Sequence, residues 1–337
     1  MFKKSTALFL YAETSVHAGS GESLGAIDLA IQRERYTGFP CVAAQGIKGP
    51  VRDWFERAEK NGQHTVDESH LIAAFGPPTS GNPSEHAGAV AFTDARILLF
   101  PVRSMKGVFA WITCPFVLGR LRRDLGLAQN AGTLGWKIPT VKNDDEKSYA
   151  HGASDAHACK TDQGKVLLEE EVFTYEKDDQ VGQVATWLRD HALPADDAYA
   201  FWQKRLSPAE GESEKPHLLV LHDDDFRHFV KTATEVQARI ALNTQKTTTG
   251  GVGNLFYQEN LPPDTLLYNV VLAADSLKTG VDDNAEAMLT FTKKLDGHRL
   301  QIGGDETTGK GYVYARFLGE NPARQTQPET TTEEATI

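Results

Sequence analysis

Residues 16–40, VHAGSGESLGAIDLAIQRERYTGFP, place a glycine-rich segment directly before a short strand-like segment. Glycine has no Cβ, so this pattern predicts a backbone that passes close to a neighbouring chain or a ligand. Asp28 stands where the glycines end, and Arg33 and Arg35 follow it. A carboxylate in this position is either a turn or cap residue or a member of a functional site, and the residues alone leave both interpretations open.

The composition is that of a globular protein: 337 residues, of which 40% are hydrophobic and 9% aromatic. This is enough for one large domain or two ordinary ones. No apolar run approaches the roughly 20 residues of a membrane helix, and the N-terminal MFKKSTALFLYAETS is a poor match to a secretory signal. The three cysteines, at positions 41, 114 and 159, are odd in number and widely spaced. We therefore expect reduced thiols and a cytoplasmic protein.

The net charge of −11 is concentrated in one part of the chain. Residues 142–225 hold 9 basic and 20 acidic side chains, whereas residues 1–141 hold 15 basic and 12 acidic ones. From Arg96 to Arg123 there are six basic residues and no acidic one. Phosphate contacts depend on local charge, so a nucleic-acid partner is compatible with this composition. For any single arginine, a solvated surface position is the simpler interpretation.

The hydrophobic pattern predicts an α+β fold, with two helices against an antiparallel sheet in the ferredoxin-like order. The expected elements, in chain order, are a strand at about 5–17, a helix from Pro50, two short strands within 88–104, a helix within 115–126, a helix at 223–233, a strand at 235–242, a hairpin at about 243–262, a strand at 265–274, a helix near 283–296, a strand at 298–302 and a last strand at 311–317.

Residues 142–216 interrupt this order with a segment rich in Asp, Glu, Lys, Gly and Ser. It has a strand-like patch, KVLLEEEVFTY, and a helical patch, QVATWLRDHAL. We expect an acidic insertion lobe, partly mobile, on a core formed by residues 1–141 and 217–318. One hypothesis is that this lobe docks a basic neighbour. Residues 319–337 have no apolar face, and we expect a disordered tail there.

The string GDETTGKG resembles the start of a P-loop without completing it. Gly304, Gly309 and Lys310 fit the motif, but Gly311 stands where Ser or Thr would bind magnesium. A strand pattern follows, whereas a P-loop is followed by a helix. We therefore reject nucleotide hydrolysis here, although the glycines still allow close approach to a ligand backbone.

A second string, HGASDAHAC, places His151, Asp155, His157 and Cys159 within nine residues. Zinc sites use these residue types, but the spacing matches no common zinc finger. Short motifs of this kind often occur without function. The string is therefore only a minor candidate for a structural metal.

The string GIKGPVR, residues 46–52, is expected to open the helix at Pro50. Free N–H groups and the dipole at a helix start attract anions, and Lys48 and Arg52 add positive charge. A nucleic-acid phosphate fits this turn. An ordinary capped helix with a surface lysine fits it equally well.

Several of these strings together resemble the RAMP proteins of CRISPR effector complexes. HAGSGESLGAIDLAIQRERYTGFP followed by GIKGPVR is similar to their N-terminal signature, and GVFAWITCPFVLGRLRRD and LQIGGDETTGKGYV are similar to further regions. LGAIDLAIQRE and LFYQENLPP resemble most the backbone subunits of type III-B (Cmr) complexes. The resemblance covers about residues 5–318, and the acidic segment is the least similar part.

The resemblance implies an RRM-like palm from which a β-hairpin thumb projects at about residues 243–262. It implies a subunit that polymerises along a guide RNA, with further copies of itself and with other Cmr subunits. It also implies cleavage of the complementary target RNA at regular intervals with a divalent metal, Mg²⁺ or Mn²⁺, and no organic cofactor.

The resemblance also implies roles for single residues. Asp28 matches the family's essential aspartate, which would hold the metal or orient the attacking 2′-hydroxyl group. His17 matches a family histidine that is an acid, a base or an RNA contact. Glu259 and Phe256 are candidates at the base of the thumb, although YQEN differs from the family pattern. The implied RNA contacts are Arg33, Arg35, Lys48, Arg52, Gly19, Gly21, Gly303, Gly304 and Lys310.

Three alternatives stay open. The same kind of subunit could hold RNA as a scaffold, with Asp28 idle. A type III-A backbone subunit would differ in its partners more than in its chemistry. A RAMP enzyme that trims precursor guide RNA would use a histidine-centred site without metal, so metal dependence separates it from the target-cleaving subunit.

Overall fold

The computed structural model describes residues 2–22, 26–60, 67–78, 85–128, 134–142, 147–240 and 255–319. Within these ranges the chain forms a mixed arrangement of helices and strands around a large sheet. The strands are β1 (Lys4–Ala12), β2 (Gly19–Glu22), β3 (Leu29–Ile31), β4 (Cys41–Val42), β5 (Val90–Phe92), β6 (Ala95–Arg103), β7 (Phe109–Thr113), β8 (Tyr149–Gly152), β9 (Lys165–Leu168), β10 (Glu171–Lys177), β11 (Leu218–Leu221), β12 (Glu235–Ile240), β13 (Leu255–Asn260), β14 (Leu266–Ala273), β15 (Arg299–Gln301) and β16 (Tyr312–Phe317). The helices are α1 (Gln45–Lys60), α2 (Glu68–Phe75), α3 (Pro115–Leu127), α4 (Asp179–His191), α5 (Ala200–Leu206), α6 (Asp223–Thr232) and α7 (Ala285–Thr292).

The large sheet takes its strands from distant parts of the chain. Its order is β15-β16-β1-β14-β6-β7-β11-β8-β10-β9, with β4 paired to β6 and β5 to β14. Most pairs are antiparallel, whereas β7–β11 and β8–β10 are parallel. Strand β1 lies between β14 and β16, and its residues 6–12, TALFLYA, are all buried. The first and the last strand therefore share one core.

A second sheet, in the order β12-β13-β3-β2, contains the glycine-rich segment. Strands β12 and β13 are antiparallel; β12 matches the strand predicted at 235–242, and β13 lies within the second half of the hairpin predicted at about 243–262. The tip of that hairpin, residues 241–254, lies outside the described residues. Strand β3 lies on the other side of β13 and pairs with it in parallel through Leu29 and Gln258. The second sheet thus brings Asp28 beside β13.

Helix α1 begins earlier than the sequence predicts. It runs over Gln45–Lys60 with Pro50 inside it, so the expectation that the helix opens at Pro50 is wrong. Ile47 is completely buried, as are Val51 and Phe55 four and eight residues later. Because one apolar face continues through the proline, packing extends the helix backwards by more than one turn. GIKG therefore belongs to the helix itself.

The acidic segment takes part in the large sheet. Strands β8, β9 and β10 lie within it; β8 pairs with β11, and β10 pairs with both β8 and β9. Helix α4 adds Val181, Val184 and Leu188 to the hydrophobic core. The strand-like patch forms the β9–β10 hairpin, and the helical patch forms α4. The division of the chain into a core and a lobe stays a prediction.

Apart from the hairpin at about 243–262, the helices and strands predicted after residue 217 are confirmed within a few residues. The sequence prediction lacks β2, α2, β7, β8, α5 and β11. The three cysteines are free thiols, as expected; Cys114 and Cys159 are buried and Cys41 is half-buried. Among the described residues, no helix has the length and apolar character needed to cross a bilayer. The predicted disordered tail lies, from residue 320 onward, outside the described ranges.

Candidate functional site

Asp28 lies immediately before β3 and is exposed to solvent. Its Oδ2 atom accepts a 2.7 Å hydrogen bond from the main-chain N–H of Tyr257 in β13. Its other oxygen, Oδ1, has no hydrogen-bond partner among the described residues. On the adjacent strand β2, Gly21 has a φ of 96° and open space where a Cβ would stand. The carboxylate is therefore held in place by a main-chain bond and offers one oxygen to a ligand.

His17 is half-buried, and β13 fixes its ring. Its Nδ1 lies 2.7 Å from the carbonyl oxygen of Glu259. A carbonyl oxygen only accepts, so Nδ1 carries the proton in the neutral ring and Nε2 keeps its lone pair. A Cβ on Gly19 would lie 2.9 Å from Nε2, and one on Gly303, where φ is 77°, would overlap the main-chain oxygen of His17. That oxygen accepts from Gly304 N at 2.9 Å. Two glycine loops thus make room for this histidine.

Asp28 and His17 bind the same edge of β13. Alternate residues of a strand direct their N–H and C=O groups to the same side. The two β13 residues that bind them, Tyr257 and Glu259, are two positions apart, which is about 7 Å along a strand. Leu261 continues this edge by pairing with the residue before His17. The structure thus brings both predicted catalytic residues to one strand edge.

The side chain of Glu259 is buried, at 2% exposure, and bound inside the protein. Its carboxylate accepts from Thr234 Oγ1 at 2.8 Å, from Ile31 N at 3.1 Å and from the guanidinium of Arg33. Arg33 also donates to two main-chain oxygens, at 3.0 and 2.8 Å. The pair ties β3 to β13. This geometry favours a positioning role for both residues and does not support the phosphate contact predicted for Arg33.

Arg35 is exposed, in the turn formed by residues 34–38. Below the turn, Glu34 accepts from the guanidinium of Arg120, whose Nη1 is 2.8 Å away. Tyr36, which the sequence analysis missed, is 72% exposed. A cation beside an exposed aromatic ring suits RNA, because the first binds phosphate and the second stacks on a base. The signal that could have found it is an aromatic residue inside a polar, glycine-ended turn.

Lys48 and Arg52 have partners within the protein. Lys48 Nζ donates to Val90 O at 3.1 Å, and burial, followed by the charge of Arg52, lowers the pKa of this lysine. Arg52 donates to Glu56 at 2.8 Å and to Gly76 O at 3.1 Å. The phosphate contacts predicted for these two cations stay predictions, which the internal bonds do not support.

The glycine-rich loop before β16 is tied to the base of the β12–β13 pair. Lys310 is 9% exposed, and its Nζ donates to Gln237 Oε1 at 2.7 Å; burial lowers its pKa. Asp305, with a φ of 65°, accepts from Arg239 at 2.8 Å. The guanidinium of Arg239 lies 5.9 Å from the centre of the Phe256 ring. A strand and not a helix follows the loop, which confirms the rejection of a P-loop.

The residues considered as zinc ligands, within 151–159, each contact a different partner inside the protein. His157 Nε2 is 3.1 Å from a main-chain oxygen of β11, and burial lowers its pKa to about 3. His151 faces the N-cap carboxylate of α4 at 3.3 Å, and Cys159 Sγ donates to a main-chain oxygen of β7 at 3.4 Å. Asp155 pairs with a lysine at 3.2 Å. These residues form no zinc site.

The donor set around Asp28 suits a metal that is shared with a substrate. Across the described parts of the chain, no group of three or more His, Cys, Asp or Glu side chains could hold a metal ion. Among the described residues, Asp28 would therefore hold a metal as a single carboxylate, through the Oδ1 atom that has no hydrogen-bond partner there. Magnesium commonly takes one or two protein carboxylates and completes its shell with water and substrate phosphates.

A family model and a relative of known name assign the chain to the same family. A model of the RAMP superfamily matches residues 9–314. The chain is 37% identical over 310 residues to the CRISPR system Cmr endoribonuclease Cmr4 of Pyrococcus furiosus, and the match covers 92% of this chain and 94% of that relative.

Solved structures agree with this match. The crystal structure of oligomeric Cmr4 from Pyrococcus furiosus superposes with a TM-score of 0.66 at 30% identity, covering 94% of this chain and 98% of that one. A chain of the type III-B Cmr-β complex bound to cognate target RNA gives a TM-score of 0.64 at 19% identity, with coverage of 94% and 98%. The second likeness supports the fold alone.

Proposed function

The chain belongs to the RAMP superfamily, and on that premise we propose that it is the backbone subunit of a type III-B CRISPR ribonucleoprotein that cleaves target RNA. One observation carries the proposal. The exposed carboxylate of Asp28 is held by β13, on the same strand edge that binds His17. A carboxylate and an imidazole held on one strand edge would be the elements of a minimal acid–base site.

The proposed assembly follows from the relatives. Copies of this subunit would stack along a guide RNA, together with other Cmr subunits, and pair the guide with a complementary target. The large sheet would supply the RRM-like palm, and the β12–β13 pair the base of the thumb. Support comes from the similarity to a protein named an endoribonuclease and to a Cmr4 described as oligomeric.

Asp28 would act at the scissile phosphate. RNA carries its own nucleophile, the 2′-hydroxyl group, so a sparse site suffices if the sugar and phosphate reach an in-line geometry. A divalent metal held by Asp28 and the RNA phosphates would supply charge stabilisation. The bond from Tyr257 N holds one carboxylate oxygen, and the other would face the RNA.

His17 would move a proton at Nε2. The Glu259 carbonyl holds the proton of the neutral ring on Nδ1, which leaves Nε2 to accept from the 2′-hydroxyl group or, when protonated, to donate to the leaving oxygen. The ring stands against Gly19 and Gly304, where the backbone passes without side chains. RNA can therefore approach this nitrogen closely.

Other residues would position the site or hold RNA. Glu259 and Arg33 would keep β3 against β13 and would not touch RNA. Arg35 and Tyr36 would contact the backbone and a base of the RNA. Lys310 would brace the glycine loop.

A scaffold without catalysis is the second candidate. The observation that favours it is the lone carboxylate, because the described residues hold no group that binds a metal by itself. In this case Asp28 would only fix β3 to β13, and RNA would be bound but not cut.

The test is target cleavage by the reconstituted complex with a labelled target and Mg²⁺ or Mn²⁺. Asp28→Asn is compared with wild type, and Asp282→Asn, also an exposed aspartate, serves as the matched control. Normal RNA binding with loss of the regularly spaced products supports the proposal. Unchanged products from Asp28→Asn would make this chain a scaffold, and cleavage that persists in chelator would point to a histidine-centred, metal-independent enzyme.

A further inference from the structure

The turn between β6 and β7 holds a residue in a conformation that its side chain disfavours. Val108 has a φ of 74°, and Gly107 before it has a φ of 80°. The left-handed region is sterically costly for L-residues, and for β-branched residues it is a clear outlier. Glycine at position 108 would adopt the same backbone without strain. A valine in this place indicates a use for its side chain.

The surrounding structure holds the turn on both sides. Met105 N donates to Leu167 O at 3.1 Å, and a Cβ on Gly107 would lie 3.0 Å from the main-chain oxygen of Ala158. The fold therefore imposes the strain. The side chains that the turn presents are apolar, since Met105 is 70% and Val108 75% exposed.

A cationic cavity of about 380 Å³ lies directly beside the turn. Lys106, Arg205 and Lys215 line it, and Glu214 is the single acidic residue among the described lining residues. The guanidinium of Arg205 stacks 4.3 Å from the Phe201 ring, and its Nε has no acceptor among the described residues. Two of the three cations belong to the most acidic part of the sequence, and Lys106 Nζ lies 3.6 Å from Asp162 Oδ1, a fully exposed partner that a docked carboxylate would replace.

We propose that the turn of residues 105–108 and this cavity, together the 105–108 surface, dock an acidic segment of a neighbouring protein subunit. Carboxylates of that segment would enter the cavity and form charge-assisted hydrogen bonds with its cations. An aliphatic side chain of the same segment would cover the two exposed apolar side chains of the turn. The inference rests on the proposed assembly but not on RNA cleavage.

RNA is the competing ligand of a cationic surface. Proteins that bind single-stranded RNA combine cations with aromatic rings on which bases stack. The side chains that the turn exposes, Met105 and Val108, are aliphatic and form an apolar patch next to charge. Such a patch is typical of a protein interface. An acidic, partly aliphatic protein segment is therefore the occupant that fits.

The first experiment places a photo-crosslinking benzoylphenylalanine at Met105 in the fully assembled ribonucleoprotein. Leu277, 66% exposed, carries the same group as a matched control. Native mass spectrometry first verifies assembly, so a failure of the proposed complex is recognised before cross-linking. We expect position 105 to cross-link to an acidic protein segment, with at least a tenfold loss of yield when Lys106 and Lys215 are both changed to Glu. A cross-link to RNA or to a segment without acidic residues, no cross-link at all, or an unchanged yield in the double variant overturns the inference.

The second experiment tests whether the strained residue Val108 takes part in docking. Val108→Gly removes the exposed side chain and relaxes the backbone, so its Tm is expected to rise by about 2 °C. The cross-linking yield from position 105 is expected to fall at least fivefold, whereas Val108→Ile keeps it. A variant with higher Tm and undiminished yield would contradict a role of Val108 in docking.

Discussion

The two carboxylates at the β3–β13 junction, Asp28 and Glu259, differ in burial and in the number of hydrogen bonds that they accept. Asp28 is exposed and has a single main-chain donor. Glu259 is buried and receives hydrogen bonds from a hydroxyl group, a main-chain N–H and a guanidinium. The difference separates two proposed roles at one candidate site, one towards a ligand and one in positioning a strand. A carboxylate that acts on a ligand needs a free oxygen, and one that positions a strand needs none.

Asp28→Asn gives the largest expected effect and tests the exposed carboxylate. The amide oxygen still accepts from Tyr257 N, so folding and RNA affinity should stay within error. The cleavage rate should fall by about 10³-fold, because the charge that we propose to hold a metal or the nucleophile is gone. Single-turnover cleavage and a binding titration measure the two quantities. A parallel loss of affinity would instead make Asp28 an RNA contact.

Glu259→Gln tests the buried carboxylate. It leaves Arg33 without its charge partner in a largely buried position, so the free energy of unfolding should fall by about 3 kcal/mol. The double change Glu259→Gln with Arg33→Met should recover part of that loss, since no unpaired charge remains. Denaturant titrations of the wild type, both single variants and the double variant measure this coupling. Equal stability in the single and double variants would mean that the ion pair does not hold the junction.

Arg35→Gln tests which cations touch RNA, with Arg52→Gln as the matched control. Arg35 is exposed, so its loss should weaken RNA binding about threefold to tenfold and reduce the slope of log affinity against log salt by about 0.7, one single-strand phosphate contact. Arg52 is bound to Glu56 and to a main-chain oxygen. Its replacement should lower Tm and leave the salt slope unchanged. The reverse result would restore the anion site expected at the start of α1.

Glu34→Gln has the smallest expected effect and concerns the turn that presents Arg35. Burial would raise the pKa of Glu34, but hydrogen bonds from Arg120 and Thr37 hold it below the ordinary 4.5. A lowered native pKa means that the charged form stabilises the fold, so this contribution is present above pH 4.5 and is lost as the pH falls through the native pKa. The variant should therefore show a weaker loss of stability on acidification, by about 1 kcal/mol or less after solvent screening. Unfolding curves between pH 3 and pH 7 measure it, and identical pH profiles would contradict the prediction.

Local pattern was sufficient for much of this molecule. The strand-forming residues of β1, the glycines around His17 and the strand β12 follow from rules that act over a few residues. The family resemblance then selected Asp28 among ordinary turn residues. The predicted start of α1 was wrong because a local proline rule competed with the burial of Ile47. The first strand was predicted to residue 17 but ends at Ala12.

Partners that are distant in sequence could not be predicted in the same way. Arg33 and Arg35 look equivalent in the string QRER, yet the first is bound to Glu259, 226 residues later, and the second faces solvent. Lys310 likewise depends on Gln237, 73 residues earlier. Only the packing of strands from different parts of the chain decides which cation stays free.

The hydrogen bond that holds Asp28 comes from the main chain of Tyr257. The identity of residue 257 can therefore change without loss of this bond. A donor in the backbone is common to every amino acid except proline. Position 257, whose side chain is 42% exposed, can therefore be substituted without removing the support of the carboxylate. Evolution or an engineer can alter how this strand meets its surroundings, or attach a fluorophore there, while the Asp28 carboxylate keeps its main-chain donor.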